Sequence, residues 1–287
     1  TILLAIILYS GCKSDESKTA PVDTQGNLFT LLSPKETGIQ FANNIRQNVD
    51  EHIFNFNYIF NGGGVAIADF NKDGLEDLYF TGNQVADRLY LNKGDLKFED
   101  ISTSSGITKS GGWRSGVAIV DINQDGYPDI YVCRGGYAFD SIRNKNLLFV
   151  NQKNLSFTEE AEKYGIADVG FSITANFFDY DNDNDLDLYV VNRPDHWGIS
   201  IMQIVDRKKS KYDDQSKYVT DQFYRNNGDG TFTNITKTVG ILPNYGFGLS
   251  SSVGDFNHDG WDDIYVANDF LENDYLFIND RKGGFKE

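Results

Sequence analysis

Histidine is scarce in this chain, three in 287 residues, as are methionine (one), cysteine (two), tryptophan (three) and proline (five). No H-E-x-x-H, G-x-S-x-G, Walker A or C-x-x-C spacing occurs. That removes the usual zinc-hydrolase, serine-hydrolase, P-loop and dithiol chemistries, and the chain is expected not to be an enzyme. Two cysteines provide no disulfide framework, and Cys133, behind the apolar run "DIYV", reads as a small buried hydrophobe. Positive charge is also short. Against 42 Asp and Glu stand 26 Lys and Arg, a net charge of −16, which is the wrong sign for a nucleic-acid partner. Long apolar runs are missing too: the first residues offer about eight, far below the ~20 that span a bilayer.

What the chain has instead is clustered aspartate. The stretch "DFNKDGLEDLYF" from Asp69 places oxygen side chains at positions 1, 3, 5 and 9 and glycine at position 6. Like charges so close repel unless a cation sits among them. The spacing suits Ca²⁺, which takes six to eight oxygens, with position 7 giving its backbone carbonyl and water completing the shell. Four copies occur, and each assigns one expected Ca²⁺ site. The first uses Asp69, Asn71, Asp73, Leu75 and Asp77; the second Asp121, Asn123, Asp125, Tyr127 and Asp129. The third uses Asp179, Asp181, Asp183, Asp185 and Asp187; the fourth Asp255, Asn257, Asp259, Trp261 and Asp263. In the third, Asn184 replaces the glycine, and asparagine also tolerates a left-handed backbone.

An EF-hand would need a bidentate Glu at position 12 and a following helix. Position 12 here is Phe80, Val132, Val190 or Val266, inside runs such as "DLYF" and "DIYV" that favour strands. "GVAIAD" and "GVAIVD" precede the first two loops as further apolar strands. The cation loop is therefore the turn of a β-hairpin. A second hairpin follows each loop, through turns such as "LNKGDLKF" and "RNNGDGTF". The first Asp recurs after 52, 58 and 76 residues, so each unit holds about four strands, the size of a propeller blade.

With the motif D-x-[DN]-x-[DN]-G-x-x-D plus an apolar strand repeated four times, residues 28–287 resemble the FG-GAP/VCBS-type repeat proteins, which include the integrin α-subunit propellers. The resemblance implies an all-β propeller with Ca²⁺ between the first and second strands of each blade. It also implies about four blades of a seven-bladed ring, with further C-terminal blades or domains. Phe29 to Phe41 resembles the last strand of a blade. The start is not Met, and "TILLAIILYSGC" looks like a signal segment ending in a lipobox, although Tyr9 stands where Leu is usual. The organisation expected is residues 1–12 as a lipoprotein signal with Cys12 lipidated, 13–27 as a tether, and 28–287 as the partial propeller. Such a protein would sit in a bacterial cell envelope, as an outer-membrane lipoprotein exposed at the surface.

Up-and-down strands put all the calcium loops on one face of a propeller. The opposite face gathers Tyr, Trp and Arg beside glycine, residues that recognition surfaces favour. Trp113, Arg114, Tyr137, His196 and Trp197 are the candidates there for a glycan or protein ligand. The insert of 193–220 carries a basic run and an aliphatic stripe beside the same face. Two other readings stay open: a propeller-type polysaccharide lyase or hydrolase, and a scaffold for a missing C-terminal domain.

Overall fold

A computed structural model describes residues 29–54, 56–108, 111–136, 144–194, 219–242, 244, 246–269 and 272–287. Cys12, the signal segment and the tether lie outside the described residues, as do Tyr137, His196, Trp197 and most of the insert.

The described chain forms four sheets of four antiparallel strands, each in the order of the sequence. The first holds β1 (Val65–Ala68), β2 (Asp77–Phe80), β3 (Arg88–Asn92) and β4 (Phe98–Asp100). The second holds β5 (Arg114–Val120), β6 (Asp129–Arg134), β7 (Leu147–Asn151) and β8 (Phe157–Glu159). The third holds β9 (Ser172–Phe178), β10 (Asp187–Asn192), β11 (Gln222–Asn226) and β12 (Phe232–Asn234). The fourth holds β13 (Gly248–Gly254), β14 (Asp263–Asn268), β15 (Tyr275–Asn279) and β16 (Phe285–Lys286). The first strands lie side by side, β1 next to β5, β5 next to β9 and β9 next to β13. These are four consecutive blades of a propeller.

Three apolar cores fill the spaces between blades, which explains the strand sequences. In β6, Ile130 and Val132 enter the core shared with the first blade. Tyr131 and Cys133 enter the one shared with the third. A middle strand buried on both faces must be apolar throughout, hence "DIYV" rather than an alternating pattern. Cys133 is fully buried, and desolvation pushes its thiol pKa well above the usual range. The first strands approach closely: a Cβ on Gly116 would stand 2.4 Å from the carbonyl oxygen of Ile173. Among the described residues, the first and fourth blades each have one side without a neighbouring blade. Val65 and Ile67 are 58% and 60% exposed on β1, while Leu249, Tyr265 and Leu276 are partly exposed on the fourth blade.

The expectation of a strand across Phe29 to Phe41 needs correction. These residues hold a short helix, α1 (Pro34–Thr37), and no strand. Pro34 fits the first helical turn, and Ser33 and Glu36 form a reciprocal capping box. The likeness to a blade's end is real one step further on. Gly38 lies against the Phe98 carbonyl of β4, as Gly106, Gly165 and Gly240 lie against Phe157, Phe232 and Phe285 of the later fourth strands. Phe41 then stacks on Phe80 at 5.1 Å and covers part of the first blade's free side.

Candidate metal centre and axial cavity

All four aspartate loops join the first strand of a blade to the second, with position 9 as the first residue of the second strand. The fold of each loop is set by its own carboxylates. Asp69 accepts from the backbone N–H groups of Asp73 (3.1 Å) and Gly74 (2.8 Å). Asp121, Asp179 and Asp255 accept the same two bonds in their loops. Position 6 is left-handed in every copy, with φ from 72° at Asn184 to 86° at Gly74 and Gly260. Position 4 is left-handed as well, at Lys72, Gln124, Asn182 and His258. That second reversal has no signature in the residue types. The two turns wrap the chain around the position-1 carboxylate, and among the described residues the third loop brings the carboxylates of positions 1, 3 and 9 together, without that of position 5.

Position 9 anchors the site. Asp77, Asp129, Asp187 and Asp263 are essentially fully buried. In each, one oxygen accepts from the N–H of position 2, and the other accepts from the N–H of an asparagine closing the third strand. These asparagines, Asn92, Asn151, Asn226 and Asn279, escaped the sequence reading, although "LYLN", "LFVN", "FYRN" and "LFIN" repeat them. Two reach across to the preceding blade. Asn151 Nδ2 donates to the Phe70 carbonyl (2.9 Å) and Asn279 Nδ2 to the Tyr180 carbonyl (2.7 Å). Both acceptors are position 2 of the neighbouring loop, so hydrogen bonds join the first loop to the second and the third to the fourth.

The third loop tests whether these residues fit a cation. Ligand atoms of Asp179, Asp181 and Asp187 all lie within 4.8 Å of one another. Asp181 Oδ1 and Asp185 Oδ1 are buried with no hydrogen-bond partner. Burial, with Asp181 and Asp185 adding repulsion, pushes the Asp187 carboxyl up to about 8. Burial and the neighbouring carboxylates likewise push Asp185 up to about 6. Buried, unpaired carboxylate oxygens are costly, and the donor set is oxygen only, which suits a hard divalent cation. The three-aspartate cluster can hold a metal.

A cavity of about 410 Å³ opens at the other end of the first strands, bordered by Ser115, Thr174, Trp113, Phe56, Tyr58 and Arg193. Trp113 packs edge-on against Phe56 at 5.0 Å. The Arg193 guanidinium lies 4.8 Å from the Phe56 ring, 5.4 Å from Tyr58 and 5.3 Å from Phe171, and it donates to the Gly136 carbonyl. Tyr58 donates to Asp269 Oδ2 (2.9 Å), tying the segment ahead of β1 to the fourth blade. Of the recognition candidates, Trp113 lines this cavity. Arg114 does not reach it: it is buried, with Nε 2.9 Å from Asp87 Oδ2. Phe56, Tyr58 and Arg193 were missed because only the chain path brings them together.

Asp87 belongs to a second repeated device at this end. It accepts from the Tyr79 hydroxyl (2.7 Å) and from the Gly82 N–H (2.9 Å). Asp221 and Asp274 do the same for Tyr189 and Asn192, and for Tyr265 and Asn268. Each of these three blades is thus closed at one end by its position-9 aspartate and at the other by a tyrosine–aspartate pair.

Comparison with known proteins agrees with this geometry. The FG-GAP-like repeat family matches residues 69–132 and 213–266. Cartilage acidic protein 1 of Xenopus tropicalis is 26% identical over 222 residues, covering 72% of this chain and 31% of that protein. The chain therefore spans about a third of the length of this relative. Among the described residues no helix is long and apolar enough to cross a membrane. Aspartate loops at corresponding hairpin tips of four successive blades, together with the two matched regions, show that the chain carries FG-GAP-like repeats over residues 69–132 and 213–266.

Proposed function

We propose that the four loops each bind one Ca²⁺ and that the propeller is a binding module, taking a glycan or protein ligand on the face opposite those loops. The observation that carries the first part is the buried aspartate repeated at position 9 of each loop, which in the third loop sits with Asp179 and Asp181 beside buried carboxylate oxygens that lack protein donors. The cation would be held by side chains 1, 3, 5 and 9, with the carbonyls of Leu75, Tyr127, Asp185 and Trp261 as further donors. Bound there, it neutralises the loop and fastens the two inner strands of the blade. Four Ca²⁺ ions would bring the formal charge from −16 to −8, since each adds two.

The axial cavity supports the second part. It offers an aromatic wall at Trp113 and Phe56 beside hydroxyl and backbone groups. The lipid anchor at Cys12 and exposure at a bacterial surface are part of the same proposal, resting on the signal-like start of the sequence.

A glycan-array and protein-array screen of the chain in calcium tests the ligand. Binding that Trp113→Ala abolishes, in a variant that still melts cooperatively above the assay temperature, is the expected result. Retention by that variant would move the ligand to another surface.

A further inference from the structure

The four loops share a design, but their surroundings differ. Two residues beyond the asparagine that closes each third strand, the chain turns through a left-handed residue: Gly94 (φ 81°), Lys153 (66°), Gly228 (71°) and Arg281 (56°). Glycine takes this conformation freely, whereas a side chain meets steric strain there. Blades two and four nevertheless carry a long basic residue at this point, and both residues reach the same target. Lys153 Nζ lies 3.4 Å from Asp125 Oδ2, and Arg281 Nε lies 3.7 Å from Asp259 Oδ2. Each of those carboxylates is position 5 of its own blade's aspartate loop. The backbone sets the direction, because a Cβ built on Gly228 would stand 3.7 Å from Asp185 Oδ2 of the third loop.

Around the second loop the positive charge is doubled. Lys72 Nζ sits 4.6 Å from the Tyr127 ring centre and Lys153 Nζ 5.7 Å from it. The third loop is the opposite case, with five aspartates, glycine at position 228 and two buried oxygens without donors. Among the described residues no ion pair reaches its carboxylates, and Arg225 acts on Asp181 only through its field.

We propose that Lys153 and Arg281 are tethered counter-cations that compete with Ca²⁺, so that the protein has two classes of calcium site. The inference rests on the calcium reading above. Sites in blades one and three are the tighter class, the third tightest of all; those in blades two and four are weaker. A unit charge held about 5 Å from a divalent ion in water changes its affinity by at most about fifteenfold, and screening together with the mobility of an exposed side chain reduces this to about threefold to tenfold. On depletion, calcium leaves first from the loops that already contain a substitute cation. Those two blades are then the least harmed by its loss.

Calorimetric calcium titration of the full chain at low ionic strength tests this. The Lys153→Met and Arg281→Met pair keeps an unbranched stem and removes charge. It should raise the weaker class by about threefold to tenfold, with most of the gain gone in 0.5 M salt. Gly228→Lys should lower one tight site by a similar factor. Trp261 stands at position 7 of the fourth loop, so tryptophan-sensitised terbium luminescence reads that site separately, and Arg281→Met alone should tighten it. One uniform class of sites, unchanged in the Met pair and in the terbium signal, overturns the proposal while leaving calcium binding intact. No calcium binding in the unaltered chain would overturn the calcium reading itself.

Discussion

Asn151→Ala removes the link between the first two loops and leaves the rest of the second blade's ladder in place. The side chain is buried and makes three hydrogen bonds. It donates to the Phe70 carbonyl (2.9 Å) and the Pro128 carbonyl (3.2 Å), and it accepts from the Lys153 N–H (2.9 Å). Its backbone N–H still reaches Asp129 Oδ1, so the position-9 anchor survives. A typical internal hydrogen bond contributes about 1 kcal/mol net, and a buried group left without its partner costs about 1–3 kcal/mol. The loss should therefore be about 2–4 kcal/mol. Asn92→Ala is the matched control. Asn92 is half-exposed, and its side chain bonds only within the first blade, to the Glu76 carbonyl and the Gly94 N–H. Its loss should be about 1 kcal/mol. Urea unfolding in saturating calcium measures both through the midpoint, given an unchanged slope. Equal losses would show that the cross-blade bond contributes nothing, and the account of joined loops would fail.

Gly116→Ala should destabilise by about 1–3 kcal/mol, because its methyl would meet the Ile173 carbonyl where β5 and β9 touch; a melt within a degree of the parent's would contradict that packing. Arg114→Met should cost about 3–5 kcal/mol by stranding buried Asp87, and Arg114→Met with Asp87→Asn should recover much of it in a double-mutant cycle. Burial, assisted by Asp168, pushes the Asp221 carboxyl up to about 6, against the pull of Tyr189, Asn244 and the Asn192 N–H. The native state then binds this proton more tightly than the unfolded state, whose Asp titrates near 3.9. The group's contribution therefore falls as pH rises from about 4 to 6 and is flat above. The stability difference between the parent and Asp221→Asn should shift in the parent's favour by about 2–3 kcal/mol on acidification through that window. A difference independent of pH would refute it.

The loops and hairpins were legible in the sequence because their chemistry is local. Oxygen side chains at fixed spacing, a left-handed residue at position 6 and apolar strands on either side define a hairpin without reference to the rest of the chain. The asparagines closing the third strands were equally visible, but their purpose was not, since Asn151 acts on Phe70 from another blade. Position 4 was silent, because Lys72, Gln124 and His258 do not advertise a left-handed backbone. Arg114 read as a recognition residue from its neighbours Gly112 and Trp113, yet pairing with Asp87 decides its direction. The ring cluster of Phe56, Tyr58, Phe171 and Arg193 depends on the path of the segment before β1, which residue spacing does not encode. Pro34 and the Ser33–Glu36 box did announce a helix in the stretch read as a strand.

Calcium stoichiometry tests the central claim most directly. Dialysed, chelator-stripped protein titrated with Ca²⁺ in a calorimeter should bind about four ions per chain. Binding only to the native state adds about 2.7 kcal/mol per site at a hundredfold excess over Kd, so the thermal midpoint should rise markedly as the sites fill. Asp187→Ala should remove one ion, while Lys72→Ala, at a position that offers no ligand, should keep all four. A flat titration with superimposable melts in calcium and in chelator would contradict the account.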